Sequence, residues 1–181
     1  MRIISGSHKG RRLRLPSFFK DRPTTDFAKE GLFSILNNWY DFTQIKVLDL
    51  FAGSGSISYE FVSRGVSYIT IVEKNPKYVK FIRSQFYELY SNFDIVFNVI
   101  QDDALLFLKE RSLIYDIIFA DPPFDFKLVQ DLPDLALNNN SFPVDSVFIL
   151  EHSKEYDFSL HENFFRHVKY GHVHFSFFQK K

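Results

Sequence analysis

Asp121-Pro122-Pro123-Phe124 closes an apolar run, Tyr115-Asp116-Ile117-Ile118-Phe119-Ala120, of the kind that forms a buried strand. Each proline holds its own φ at about −65° and restricts the residue before it, so Asp121 and Pro122 are extended and begin no helix. A proline pair has no backbone N–H. The turn therefore offers only acceptors, the Pro122 carbonyl and the Asp121 carboxylate. Such a turn suits a donor on a flat group, an exocyclic amine, with Phe124 placed to stack on the attached ring. The same four residues also fit a plain proline turn with Phe124 in the core.

A second constellation adds to the first. Ile45-Lys46-Val47-Leu48-Asp49-Leu50-Phe51 is an apolar run followed at once by Ala52-Gly53-Ser54-Gly55-Ser56 and then a helical pattern. Gly53 and Gly55 permit positive φ and close approach of a ligand to the backbone, as in nucleotide-binding α/β folds. The dinucleotide fingerprint places a third glycine where Ser58 stands, which weakens a phosphate-binding reading. Glu73 ends the next apolar strand, Tyr68-Ile69-Thr70-Ile71-Val72, at the offset from which an acid reaches ribose hydroxyls. Asn75 then reads as an N-cap and Pro76 as the first residue of a helix whose buried face is Val79, Ile82, Phe86 and Leu89.

Together these residues resemble the class I S-adenosylmethionine-dependent methyltransferases. The amino end is similar to one branch of them: Arg2-Ile3-Ile4-Ser5-Gly6, Lys9-Gly10-Arg11-Arg12-Leu13 and Arg22-Pro23-Thr24-Thr25-Asp26 resemble the opening of the RsmD family, which methylates a guanine N2 in bacterial 16S rRNA. The resemblance implies S-adenosyl-L-methionine as cofactor, with S-adenosyl-L-homocysteine as product. It assigns the cofactor to Asp49, Phe51, Ala52, Gly53, Ser54 and Gly55, to Glu73 and Lys74, to Asp102, Asp103 and Ala104, and to Asp121. For the adenine amine, Asp103 is the first choice and Asp102 the alternative, following the strand Ile95–Ile100. Catalysis falls to Asp121, Pro122, Pro123 and Phe124. RNA contacts fall to Arg2, Lys9, Arg11, Arg12, Arg14 and Arg22. The implied substrate is 16S rRNA within the small ribosomal subunit, and the implied state is a monomer.

Composition is consistent with this. A chain of 181 residues suffices for one domain with a core, here residues 1–181 with residues 1–22 as a basic extension. No apolar run is long enough to span a bilayer and no secretory h-region opens the chain, so a cytoplasmic protein is expected. The absence of cysteine removes disulfides, cysteine-ligated metal and the methyltransferases that attack a pyrimidine carbon with a thiolate. No metal is expected, since the six histidines show no paired ligand spacing, and His172 with His174 reads as one strand face. Twenty-three Phe and nine Tyr mean aromatic core packing, so only Phe124 is singled out as a stacking residue. Residues 1–22 carry seven bases, including Lys20, against Asp21, a net +6 on a neutral chain, and the remainder is therefore −6. A basic arm on an acidic body is the footprint of a phosphate-backbone contact, although a solvated basic terminus has the same composition. Gly6 and Gly10 between Ile3-Ile4 and Leu13-Leu15 predict a β-hairpin for it.

The remaining elements complete the expected fold. Ala28, Leu32, Ile35, Leu36 and Trp39 predict a helix after Thr25; Ser146–Glu151 a fifth strand; Phe164–Tyr170 and His172–Phe177 a closing hairpin about Gly171. The sum is an α/β fold, Rossmann-like and of class I methyltransferase type. Its sheet is seven-stranded and mostly parallel, with one antiparallel strand, helices on both faces and the basic hairpin appended. Three other readings remain open. Asp-Pro-Pro-Phe also suits methylation of adenine N6 or of a glutamine; a nicotinamide oxidoreductase is disfavoured by Ser58; and a non-catalytic RNA-binding module would use the same arm.

Overall fold

The apolar runs are strands because both of their faces are covered. A computed structural model describes residues 1–19 and 24–180. Its strands are β1 (Lys46–Leu50), β2 (Tyr68–Glu73), β3 (Val96–Gln101), β4 (Ile117–Ala120), β5 (Val147–His152), β6 (Phe164–Tyr170) and β7 (Val173–Gln179). Its helices are α1 (Asp26–Leu36), α2 (Ser56–Ser63), α3 (Pro76–Tyr90), α4 (Ala104–Glu110) and α5 (Leu132–Leu137). The strands form one sheet in the order β3-β2-β1-β4-β5-β7-β6, and β7 is the one that runs antiparallel to its neighbours. Successive strand residues go to opposite faces. Val47, Ile117, Phe119, Val147 and Ile149 join α1, α2 and α3 in one core, while Leu48, Leu50, Ile118, Phe148 and Leu150 join α4 and α5 in the other.

Local chemistry sets the helix starts. Asn75 caps α3 by accepting from Lys77 N–H, Pro76 follows it, and Val79, Ile82, Phe86 and Leu89 are buried, as expected. Thr25 caps α1, but that helix stops at Leu36. Trp39 therefore lies outside it, and its ring packs edge-on against Phe177 with the Arg166 guanidinium over it. His172 stands in the turn with Gly171 while His174 lies in β7, so the two do not form one strand face. Among the described residues, no helix is long and apolar enough to cross a membrane.

The basic arm is folded onto the body, which excludes a loose tail for residues 1–19. It doubles back through a single antiparallel bridge, Arg2 with Arg12, supported by Ile3 N–H to Arg11 O (3.0 Å) and Leu13 N–H to Met1 O (3.0 Å), rather than through a two-stranded ladder. Ile3 and Leu13 are buried. Backbone donors of the arm are taken up by α2: Ile4 N–H donates to Glu60 Oε1 (2.7 Å) and Ser7 N–H to Ser63 O (2.7 Å). Gly6 has φ +82°, and a Cβ there would lie 1.7 Å from Ser63 O, so only glycine allows this approach.

Candidate active site

The strand order reverses between β1 and β4, which opens a crevice at their carboxyl ends. Asp49 of β1 is in register with Phe119 of β4, and Phe119 with Ile149 of β5. Two residues beyond those partners stand Asp121 and Glu151, so by the two-residue period all three acids belong to one side of the sheet, the side of α1 and α2. They line a cleft of about 390 Å³ together with Thr24, Phe51, Gly53, Ser54, Pro122 and Phe124. No lysine or arginine is among its described lining residues.

The glycine loop is shaped by three departures from ordinary backbone. Phe51, Gly53 and Gly55 have φ of 57°, 55° and 77°, and Gly55 N–H donates to Ala52 O (2.7 Å) at the start of α2. Phe51 holds its unfavourable φ with its ring edge-on to Phe126, 5.1 Å between centroids. Ser58, which stands in place of a third glycine, anchors the helix to the strand beneath it, because its hydroxyl donates to the buried Asp49 carboxylate. The loop is tied to the next strand by Glu73. Its Oε2 accepts from Gly53 N–H (2.8 Å) and its Oε1 from Asn75 N–H (2.7 Å).

Burial pushes the Asp49 carboxyl up to about 7, against the hydrogen bond from Ser58 and reinforced by the charges of Asp121 and Glu73. The folded value lies above the ordinary value of 3.8, so between the two the folded protein keeps a proton that the unfolded chain releases. Stability associated with Asp49 is thus present below pH 4 and lost as pH rises toward 7. The expected result is a ligand-free protein whose unfolding free energy declines over that window by as much as about 1.4 kcal/mol per pH unit. Urea titrations of wild type and Asp49→Asn check it: equal slopes against pH in the two proteins would contradict the assignment.

The other expected site residues lie around this cleft rather than all within it. Pro123 O accepts from Phe126 N–H (2.9 Å), which closes the proline turn, and Phe124 is 85% exposed at the cleft, not in the core. Glu73, Lys74, Asp102, Asp103 and Ala104 sit at the carboxyl ends of β2 and β3, outside the cleft's lining. Asp103 caps α4 by accepting from Leu105 N–H (2.9 Å), and its second oxygen meets the Lys74 ammonium at 2.9 Å. These contacts hold its carboxyl below the ordinary range. Asp102 Oδ1 accepts from Asp103 N–H (2.8 Å).

Two wall residues, Glu151 and Thr24, had no individual role assigned from the sequence, Thr24 being named only within the segment Arg22 to Asp26. Glu151 is the penultimate residue of β5, and its Oε2 accepts from the Thr24 hydroxyl at 3.0 Å. The rule that drew attention to Glu73, an acid at a parallel strand's carboxyl end, applies to Glu151 as well. The Thr24 contact spans 127 positions and has no local signal. Of the basic residues, Arg2 pairs with Asp26 (2.9 Å) and Arg11 with Glu88 (2.8 Å), both on the surface. Lys9, Arg12 and Arg14 are exposed, and Arg22 lies outside the described residues.

The family model described as Conserved hypothetical protein 95 matches residues 1–179. Ribosomal RNA small subunit methyltransferase D of Buchnera aphidicola subsp. Baizongia pistaciae is 33% identical over 154 residues, which is 83% of this chain and 75% of that protein. Its namesake in Haemophilus influenzae is 32% identical over 157 residues, 86% and 80% of the two chains. The solved structure of yhhF from Escherichia coli covers 100% of this chain and 98% of its own, with a TM-score of 0.83 and 27% identity. With the family match spanning the sheet, the arm and the proline turn alike, the chain belongs to this family, that of ribosomal RNA small subunit methyltransferase D.

Proposed function

We propose that this protein transfers a methyl group from S-adenosyl-L-methionine to the exocyclic N2 of a guanine in 16S rRNA of the small ribosomal subunit. The observation that carries the reading is the cleft itself. It places the acceptor-only turn, Asp121 and Pro122, beside the glycine loop in a wall that holds the carboxyl groups of Asp49, Asp121 and Glu151 and no described lysine or arginine. Such a wall has oxygen acceptors for a cationic ligand and no described cation to hold a pyrophosphate, which favours a sulfonium cofactor over a dinucleotide.

The residues present fit that cofactor. Glu73, oriented by two backbone N–H groups beside the glycine loop, is the acid for the ribose hydroxyls, and Asp49 faces the cleft as the acid for its ammonium end. Asp102 is the better candidate for the adenine amine, because both oxygens of Asp103 are engaged by α4 and Lys74. When bound, S-adenosylmethionine supplies an electrophilic methyl and leaves as S-adenosylhomocysteine. The chain's own contribution is positioning and charge. Asp121 and the Pro122 carbonyl accept from the amine's N–H groups, oppose delocalisation of its lone pair into the ring and stabilise the positive charge it develops. Phe124, exposed beside the turn, replaces part of the stacking that a flipped base gives up. Lys9, Arg12 and Arg14 on the docked arm meet RNA phosphates, with Arg2 and Arg11 alongside.

The test is a comparison of acceptors. With methyl-labelled cofactor, label should enter small ribosomal subunits or 16S rRNA and be recovered after digestion as N2-methylguanosine. Label in duplex DNA or in release-factor protein, with none in rRNA, would overturn the assignment.

A further inference from the structure

We propose that Glu151 reads the target base, its carboxyl pairing with N1–H and O6 of the guanine whose N2 is held at Asp121 and Pro122. This rests on the function proposed above and adds the residue that selects the base. Asp121 follows Ala120, whose register partner is Leu150, so Glu151 stands opposite Asp121 one strand farther from the glycine loop. Neighbouring strands are roughly 4.8 Å apart. With the methyl donor on the β1 side, the ring carrying the attacking amine extends toward β5, and the next groups along its Watson–Crick edge are N1–H and O6.

Recognising that pair takes one acceptor and one donor side by side. A neutral carboxyl provides both. Thr24 donates to Oε2, which marks Oε2 as the accepting oxygen and leaves Oε1 to carry the proton; among the described residues Oε1 has no hydrogen-bond partner. Burial, followed by the charge of Asp121, raises the Glu151 carboxyl well above the ordinary range, more than the Thr24 hydrogen bond lowers it. Oε2 then accepts N1–H and Oε1–H donates to O6. Adenine, presented with N6 at Asp121, sets its acceptor N1 against the accepting Oε2 and a C–H against the Oε1–H donor, and satisfies neither bond.

The experiment compares wild type, Glu151→Ala and Glu151→Gln on small ribosomal subunits, with modified nucleosides identified after digestion. Glu151→Ala should lose roughly 5- to 150-fold in kcat/KM, the range for one bidentate base contact, with S-adenosylhomocysteine affinity and thermal midpoint close to wild type. The glutamine variant, which keeps one acceptor and one donor, should recover most of that loss. It should also lack the fall in wild-type activity at high pH, where Glu151 ionises and its donor disappears. A Glu151→Ala enzyme with undiminished kcat/KM for rRNA, or a Glu151→Gln enzyme no better than it, overturns the role of Glu151 while N2-methylguanosine from wild type upholds the function. If wild type instead yields N6-methyladenosine, both fall together.

Discussion

Replacing Asp121 by alanine is expected to lower the single-turnover rate of methyl transfer by about 10²- to 10⁴-fold at saturating cofactor, the range for a positioned acid–base or electrostatic group. The amine is a poor nucleophile while its lone pair is shared with the ring. Asp121 accepts one of its N–H groups at the carboxyl end of β4, where the proline pair allows no competing backbone donor. As the new bond forms, the nitrogen becomes cationic, and a carboxylate in contact with it stabilises that charge more than the ground state. Asp121→Asn separates the two effects. It keeps an acceptor oxygen without the charge, so its rate should fall between those of Asp121→Ala and wild type. Quenched-flow measurement with labelled cofactor, alongside calorimetric titration of S-adenosylhomocysteine, checks both. An alanine variant that transfers at near wild-type rate with intact cofactor binding would leave the proline turn without a catalytic part.

How much of this was legible in the sequence follows from the range of each interaction. Asn75, Pro76 and the buried stripe of α3 need nothing beyond their own helix, and all were readable. Glu73 was readable because its place is fixed by two strand ends joined through a helix. Ser58 was legible only as a missing glycine; its hydrogen bond to Asp49 is a contact between a helix and the strand beneath it. The arm was readable as basic and turning, yet its bridge is too short to be a strand pair, since α2 rather than a partner strand takes its donors. Periodicity also sends Lys and Glu to the solvent side. It therefore could not reveal that Lys29 and Glu60, on two different helices, meet in the interior.

That pair governs the second large effect. Lys29 and Glu60 are 1% and 0% exposed, and the ammonium lies 3.1 Å from Glu60 Oε1 while also donating to Arg2 O. Glu60 additionally accepts from Ile4 N–H, so one carboxylate joins α1, α2 and the basic arm. Removing Lys29 leaves the buried Glu60 carboxylate with Arg64, at 3.4 Å, as its remaining cation, at a cost of up to about 3–5 kcal/mol. Against a total stability of roughly 5–15 kcal/mol this is decisive, and it corresponds to a melting point lower by roughly 6–20 °C. Lys29→Met should show that loss in urea or thermal unfolding. Lys29→Met with Glu60→Gln should recover part of it, because the amide oxygen still accepts from Ile4 N–H and no carboxylate is left in the interior. Glu60→Leu in the same Lys29→Met background orphans that N–H and lets the arm lift from α2. Its melting point should therefore stay below that of the glutamine pair, and its affinity for rRNA should fall while S-adenosylhomocysteine still binds. Equal unfolding curves for wild type and Lys29→Met would show that the ion pair does not hold the arm in place.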